Sequence, residues 1–268
     1  MTQANGLILV AADVHIQLDV LLADQHATPR VKEWAAKALC HLSAAPANHQ
    51  PLMAAGVHNQ SSALLIDPQA TPLAKEWAVG ALGNLSADPA NHPILVAAGV
   101  HNSLSALLRD HQATPEAKQW AAEALCNLSA APANRRPLVV DGVHTPLSAL
   151  LRDPLATLEA KRWAAGALGN LSLDPANRQP LVAAGVHNPL SALLSDQLAT
   201  PLAKQWAAEA LCNLSAAPAN DQPLMAAGVH NQLSALLSDP QATPSAGQFA
   251  TLALENLDLT PRGCCVIL

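Results

Sequence analysis

The residues of this chain best suited to metal or nucleophilic chemistry are its eleven histidines and five cysteines. Six of the histidines, His15, His58, His101, His144, His187 and His230, recur at intervals of 43. That regularity argues against a shared metal. Packed helices stand about 8–10 Å apart, whereas zinc binds nitrogen at about 2.0–2.1 Å. The series is expected to pack between helices and bond turn carbonyls. Cys40, Cys126 and Cys212 are spaced by twice that interval. Residues so far apart on stacked units cannot form a disulfide, which needs Cα atoms within about 7 Å. No His and acid accompany them at matched spacing to activate a thiol. With no phosphate-binding loop either, no catalytic residue, metal ligand or cofactor is assigned, and the chain does not read as an enzyme.

The last six residues are Gly263, Cys264, Cys265, Val266, Ile267 and Leu268. Cys265 and the three residues after it match the C-a-a-X prenylation signal, in which a final Leu favours a geranylgeranyl group. One lipid chain gives only reversible membrane binding, so a second signal is needed. Arg262 is the only nearby basic residue, which leaves Cys264 as a palmitoylation site. The expectation is a lipidation tail over 263–268 and a place at the cytoplasmic face of a membrane.

Composition sets the frame for these motifs. Of 268 residues, 50% are hydrophobic, 13% charged and 2% aromatic, with a formal charge of −6. Half the residues apolar is too many for disorder. The acidic balance argues against a nucleic-acid partner, which calls for a basic face. The apolar stretch near the start, GLILVAADV, contains Asp13 and is too short to span a membrane or act as a secretory signal. An odd number of cysteines without an export signal indicates reduced thiols and an intracellular protein.

The elements that position these residues repeat. Trp34, Trp77, Trp120, Trp163 and Trp206 are each 43 residues apart, and the next step lands on Phe249, the only Phe. Six units follow, at 5–47, 48–90, 91–133, 134–176, 177–219 and 220–262. Together they make a single repeat array over 1–262, with no second domain. In the fifth unit, Asn177 is expected to cap a short helix ending at Gly185, a residue suited to the left-handed position after a helix. A second helix follows in HNPLSALLSD. Thr200 and Pro201 supply an N-cap and a first-turn proline for the longest helix, AKQWAAEALCNLS. Nothing alternates with period two, so no strand is predicted. A unit this small cannot close a core alone, and the end units of such arrays are atypical. Here unit one has Asp13 for Gly and His41 for Asn, and unit six has Phe249 for Trp and Asp258 for Ser.

The Gly after the short helix, the LSALL that follows and the closing ALxNLS resemble the armadillo repeat over nearly the whole chain. ALGNLS stands at 81–86, and ALCNLS at 124–129 and 210–215. The resemblance implies an all-α fold: a right-handed superhelical α-solenoid of armadillo-like three-helix repeats, its third helices lining a concave groove. It also implies that Asn84, Asn127, Asn170, Asn213 and Asn256 form a ladder holding an extended peptide by its main chain. One departure is that Trp stands seven residues before the Asn, where many armadillo repeats have it four before. The related HEAT repeat usually lacks the short first helix and the Asn.

A wheel of about 100° per residue places Ala203, Ala207, Ala210, Leu211 and Leu214 on the buried face of the fifth unit's long helix. Trp206, Leu202, Glu209 and Asn213 fall on its flank. Trp77, Trp120, Trp163 and Trp206 either complete the core or wall side-chain pockets between Asn rungs. The same flank carries Glu116, Glu123, Glu159 and Glu209 in the middle units, against Arg30 and Lys37 in unit one. An acidic centre beside Trp faces suits Lys or Arg side chains. Gly80, Gly83, Gly166 and Gly169 sit inside long helices at about 1 kcal/mol each relative to Ala. Either a two-unit segment was duplicated or the groove is held open for bulky ligand side chains.

The expected function is a protein-binding scaffold that takes an extended, basic peptide segment and is tethered by C-terminal prenylation. Its partners would be a peptide segment and a membrane, with no nucleic acid and no small-molecule substrate. The alternatives are a soluble adaptor resembling a nuclear import receptor, against which the lack of a basic N-terminal arm counts, a structural spacer, or a consensus-like array without a dedicated ligand.

Overall fold

A computed structural model of the chain describes residues 9–258. Asn5 and the tail cysteines Cys264 and Cys265 lie outside that range. The described residues contain helices and turns and no strand. They divide into two compact units. The first runs to Asn134 and takes in Leu155–Ala160; the second comprises Arg135–Pro154 and the chain from Lys161 onward.

The three-helix unit forms as its sequence dictates. In the fifth repeat the helices are Pro175–Ala183, His187–Ser195 and Pro201–Ser215. The long third helices elsewhere are Pro29–Ser43, Pro72–Ser86, Pro115–Ala130, Leu158–Ser172 and Pro244–Asp258. Each starts where a Thr hydroxyl accepts the N–H three residues on, at 3.0 Å from Thr71, Thr114 and Thr157. That bond satisfies a first-turn N–H with no partner in the helix. Gly56, Gly99, Gly142, Gly185 and Gly228 adopt φ of 72–80° before the second helix. Asp13 takes the same left-handed position at φ 57°, at the steric cost a Cβ brings there. The apolar stripe is buried as the wheel predicts, Ala207, Ala210, Leu211 and Leu214 being fully enclosed.

Asn177 does not cap its helix. Asp174 does, accepting from Ala176 N–H, while Asn177 is buried inside the helix and donates to Leu171 O at 3.0 Å. Asn48, Asn91, Asn134 and Asn220 each donate at 2.9 Å to the carbonyl six residues back. These carbonyls belong to the last turn of the third helix and have no intrahelical donor. The Asn therefore closes the helix behind it rather than opening the one ahead.

The recurring histidines also differ from expectation in detail. His58 and His187 are buried, with Nδ1 lacking a partner. Burial lowers their pKa from the ordinary imidazole value, as it does for His144, which also has a backbone bond to Val139. Of the recurring series His144 makes the expected bond to a carbonyl before the turn, and His49, on Ser43 O at 2.9 Å, and His92, on Ser86 O at 2.8 Å, make further carbonyl bonds.

Candidate functional site

Successive repeats are joined by polar bonds that recur in register, and these set the surface of the third helices. In the first compact unit, Thr71 donates to Glu33 at 3.0 Å, Thr114 to Glu76 at 2.7 Å and Thr157 to Gln119 at 2.8 Å. Lys75 meets Asp110 at 2.8 Å, and the lysine lowers that carboxyl's pKa. The second unit repeats the scheme with Thr243 on Gln205 at 2.8 Å and Lys204 on Asp239 at 2.7 Å. Arg162 stands where Thr200 would find its acceptor; a guanidinium cannot accept, and it covers the Trp163 ring at 3.9 Å instead.

The Asn ladder residues take part in this joinery. Asn84 donates to Ser43 Oγ at 3.0 Å and Asn127 to Ser86 Oγ at 3.1 Å. In the second unit, Asn213 donates to Ser172 and Asn256 to Ser215, both at 3.1 Å. All the hydrogen bonds of these four side chains run through Nδ2, and each residue is half-buried. Asn170 is half-buried as well. An Asn held this way has its plane fixed by the preceding repeat while its carbonyl Oδ1 remains an acceptor.

The tryptophans lean on the repeat before them. A Cβ at Gly83 would come within 2.9 Å of Trp120 Cε3, and one at Gly80 within 2.9 Å of Cys40 Sγ and 3.9 Å of Trp120. In the second unit, a Cβ at Gly169 would meet Trp206 at 3.6 Å. Gly83 therefore makes room for the next repeat's indole and Gly80 for the Cys40 sulfur of the repeat before, while at Gly169 the contact is an ordinary one. At Gly80 and Gly83 the space beside the glycine is filled from within the chain, by Cys40 and Trp120. Trp77, Trp120, Trp163 and Trp206 are half-buried, each partly packed in the array and partly exposed.

The first repeat fills the space between two successive tryptophans with its own cation. Lys37 Nζ lies 5.0 Å from the Trp34 ring centroid and 5.1 Å from that of Trp77, and His41 stacks on Trp77 at 5.5 Å. The sequence pattern listed Lys37 only as a charge and missed this bracket. Its signal was the spacing of Lys37 from Trp34 and Trp77, three residues after one and forty before the other. Among the described residues, Trp120 and Trp206 have no cation against them. Glu116 is exposed, whereas Glu123, Glu159 and Glu209 are half-buried. Burial raises the pKa of Glu209, so a cation placed beside it would relieve the cost of its charge.

The remaining chemistry is quiet. Burial pushes the Cys40 thiol up to about 11, with Glu76 adding to it, and burial also raises the Cys212 thiol. Such thiols are poor nucleophiles. Among the described residues, no three His, Cys, Asp or Glu converge to hold a metal, and no helix is long and apolar enough to cross a membrane.

No protein-family model and no curated protein matches the chain. Solved structures do. A designed armadillo repeat protein, YIII(Dq)4CqI, is 27% identical over 90% of this chain and 99% of its own, with a TM-score of 0.76. Computationally designed armadillo repeat proteins for modular peptide recognition give 27% identity over 90% and 98%, with a TM-score of 0.77. A third, YIII(Dq.V1)4CPAF in complex with the peptide (KR)4, is 24% identical over 90% and 98%, at 0.75. The chain thus has the all-α fold of these designed armadillo repeat proteins.

Proposed function

We propose that this protein is a non-enzymatic scaffold whose third-helix surfaces bind extended peptide segments carrying Lys or Arg. The observation that carries this reading is Lys37 between Trp34 and Trp77. It supports a cation as the side chain suited to the space between consecutive indoles. At the matching position later repeats have Gly80, Glu123, Gly166 and Glu209, none of which supplies a cation. A ligand side chain would take that role at Trp120, beside Glu116 and Glu123, and at Trp206, beside Glu209. In the first unit Glu159 and Trp77 are assigned to the same role, and in the second Trp163 is. Main-chain N–H groups of the peptide would reach Oδ1 of Asn84 and Asn127 in one unit and of Asn213 and Asn256 in the other. Asn170 is assigned the same role. The similarity to armadillo proteins designed for modular peptide recognition supports the reading.

The test is a peptide array of basic, neutral and acidic sequences against the wild type and an Asn84→Ala/Asn127→Ala variant. Basic peptides should bind best, and the variant should lose most of that binding. Those substitutions also remove bonds to Ser43 and Ser86, so a Ser43→Ala/Ser86→Ala variant is the control. It breaks the Asn–Ser bonds, leaving that of Asn84 to Cys40 O, and keeps Oδ1, so it should retain binding. Equal binding of acidic and basic peptides would contradict the reading. Equal loss in both variants would reduce the Asn residues to structural pegs.

The membrane tether is part of the same proposal. It rests on the Cys265-Val266-Ile267-Leu268 motif with Cys264 beside it, and implies a cytoplasmic membrane face. Intact-mass measurement after expression in eukaryotic cells tests it. An added geranylgeranyl mass lost in Cys265→Ser supports the tether, and an unmodified wild type rejects it.

A further inference from the structure

Positions that are covered inside the array are uncovered at its two ends, and what stands there is apolar or charged rather than uniformly polar. On the first repeat, Leu21 is 38% exposed and Trp34 54%, although the counterpart of Leu21 in the second repeat, Leu64, is 3% exposed. An open cavity of about 300 Å³ lies there, lined by Val14, Leu18, Trp34, Lys37, His41 and Leu42 among others. In the second and third repeats, the residues matching Trp34, Lys37 and His41 are those that face the preceding third helix: Trp120 over Gly83, Gly80 against Cys40, and Asn84 on Ser43. The cavity is thus the seat of a preceding repeat. On the sixth repeat, Leu237 and Leu252 are 49% and 50% exposed, while Leu194, the counterpart of Leu237, is 4% exposed.

The two ends match each other in register. Advancing the internal contacts by whole repeats sets Thr28 opposite Gln248, as Thr71 stands opposite Glu33. Thr28 and Gln248 are both exposed, unlike their partnered counterparts. The same step sets Trp34 over Glu255 where Trp120 meets Gly83, with Leu252 beside it in the place of Gly80, Lys37 opposite Glu255 where Gly80 meets Cys40, and His41 opposite Asp258 where Asn84 meets Ser43. Glu255 and Asp258 are exposed, and Asp258 has His230 Nε2 at 3.7 Å. At the two ends these internal contacts are therefore replaced by an ion pair, Lys37 with Glu255, and an imidazole facing a carboxylate, His41 with Asp258. The Lys–Asp bond is the one link not reproduced, since Gly247 stands in the lysine register.

We infer that the first repeat of one chain stacks on the last repeat of a second copy, the helix Pro244–Asp258 seating its Leu252 and Glu255 turn against Trp34, with Lys37 on Glu255 and His41 on Asp258. The contact is heterologous, so it leaves a free end of each kind and propagates. Opposite charges fix the register, and like charges at these positions repel.

The test is sedimentation velocity of the unlipidated full chain under reducing conditions, from about 2 to 200 μM. The wild type should gain mass with concentration. A head-reversed variant, Lys37→Glu/His41→Glu, and a tail-reversed variant, Glu255→Lys/Asp258→Lys, should each weaken self-association at least tenfold. Their equimolar mixture should recover it, because reversed head meets reversed tail and unaltered tail meets unaltered head. A wild type that stays monomeric throughout would overturn the inference, as it would if residues 1–8 or 259–268 cover these faces. So would a mixture no larger than its separate components. The tail-reversed variant changes two exposed residues of the last helix, so circular dichroism should confirm an unchanged fold.

Discussion

The first and third repeats share a plan and differ in what they do with it. In the third, Thr114, Asn127 and Trp120 all rest on the second repeat, and Leu104, Leu107 and Leu125 are fully enclosed. In the first, Thr28, Trp34 and His41 face outward, and the helix Val14–Ala23 buries only His15 and Leu22. The difference teaches that the repeat is specified by its neighbours as much as by its own residues. The same Trp is a half-buried strut in one place and an exposed ring in the other. Stability should grade accordingly along the chain.

The largest contrast should come from leucine truncation. Leu125→Ala should cost about 3 kcal/mol in denaturant unfolding, since a fully buried Leu leaves a cavity. Leu21→Ala, on the exposed helix, should cost well under half as much. Equal costs would break the comparison. Glycine replacement should even reverse sign. Gly83→Ala gains about 1 kcal/mol of helix propensity, but its Cβ meets Trp120 at 2.9 Å. Overpacking of that kind costs about 1–3 kcal/mol, so a net loss and a shifted Trp fluorescence are expected. Gly247→Ala, with nothing within 4 Å of the new Cβ, should stabilise by about 1 kcal/mol.

pH should separate the repeats by sign. Burial raises the Asp19 carboxyl from 3.8 to about 6, and its Oδ1 has no partner. The folded state holds that proton more tightly than the unfolded state does. The contribution is therefore complete below pH 3.8 and is lost as pH rises through 6. Asp19→Ser, the residue of the third repeat at that position, should add about 1 kcal/mol at pH 7, after allowing for the group's partial exposure, and nothing at pH 3. His58 in the second repeat runs the other way. Burial lowers its pKa, so stability is full above 6.5 and falls as pH drops through the folded value. His58→Gln should flatten that acid limb of the melting curve. The smallest effect should be Lys75→Ala, about 0.5 kcal/mol for a part-exposed ion pair, and less in high salt.

Much of this architecture was legible because each signal is local. The Thr-Pro starts, the glycines at left-handed turns and the apolar stripe of Ala207, Ala210, Leu211 and Leu214 follow from residue type and spacing alone. The contacts between repeats were not legible, because they link residues about 40 apart whose only mark is their recurrence. Asn177 reads as an N-cap by type, and only the fold shows that it reaches back to Leu171 O. Gly80 and Gly83 read as weak points in a helix until the next repeat's indole is laid against them. The histidine series reads correctly as packing, and His144 bonds a carbonyl as expected, but the bonds of His49 and His92 to Ser43 O and Ser86 O belong to a register that does not recur throughout the chain.

The central claim is that Trp120 and Trp206 take from a ligand the cation that Lys37 gives Trp34 and Trp77. It is tested most directly by NMR of the indole N–H signals during titration with an alternating Lys-Arg peptide. The indoles of Trp120 and Trp206 should shift in a saturable way, those of Trp34 and Trp163, already covered by Lys37 and Arg162, should move least, and an acidic peptide of equal length should move none. Shifts confined to Trp34, or equal shifts with both peptides, would contradict it.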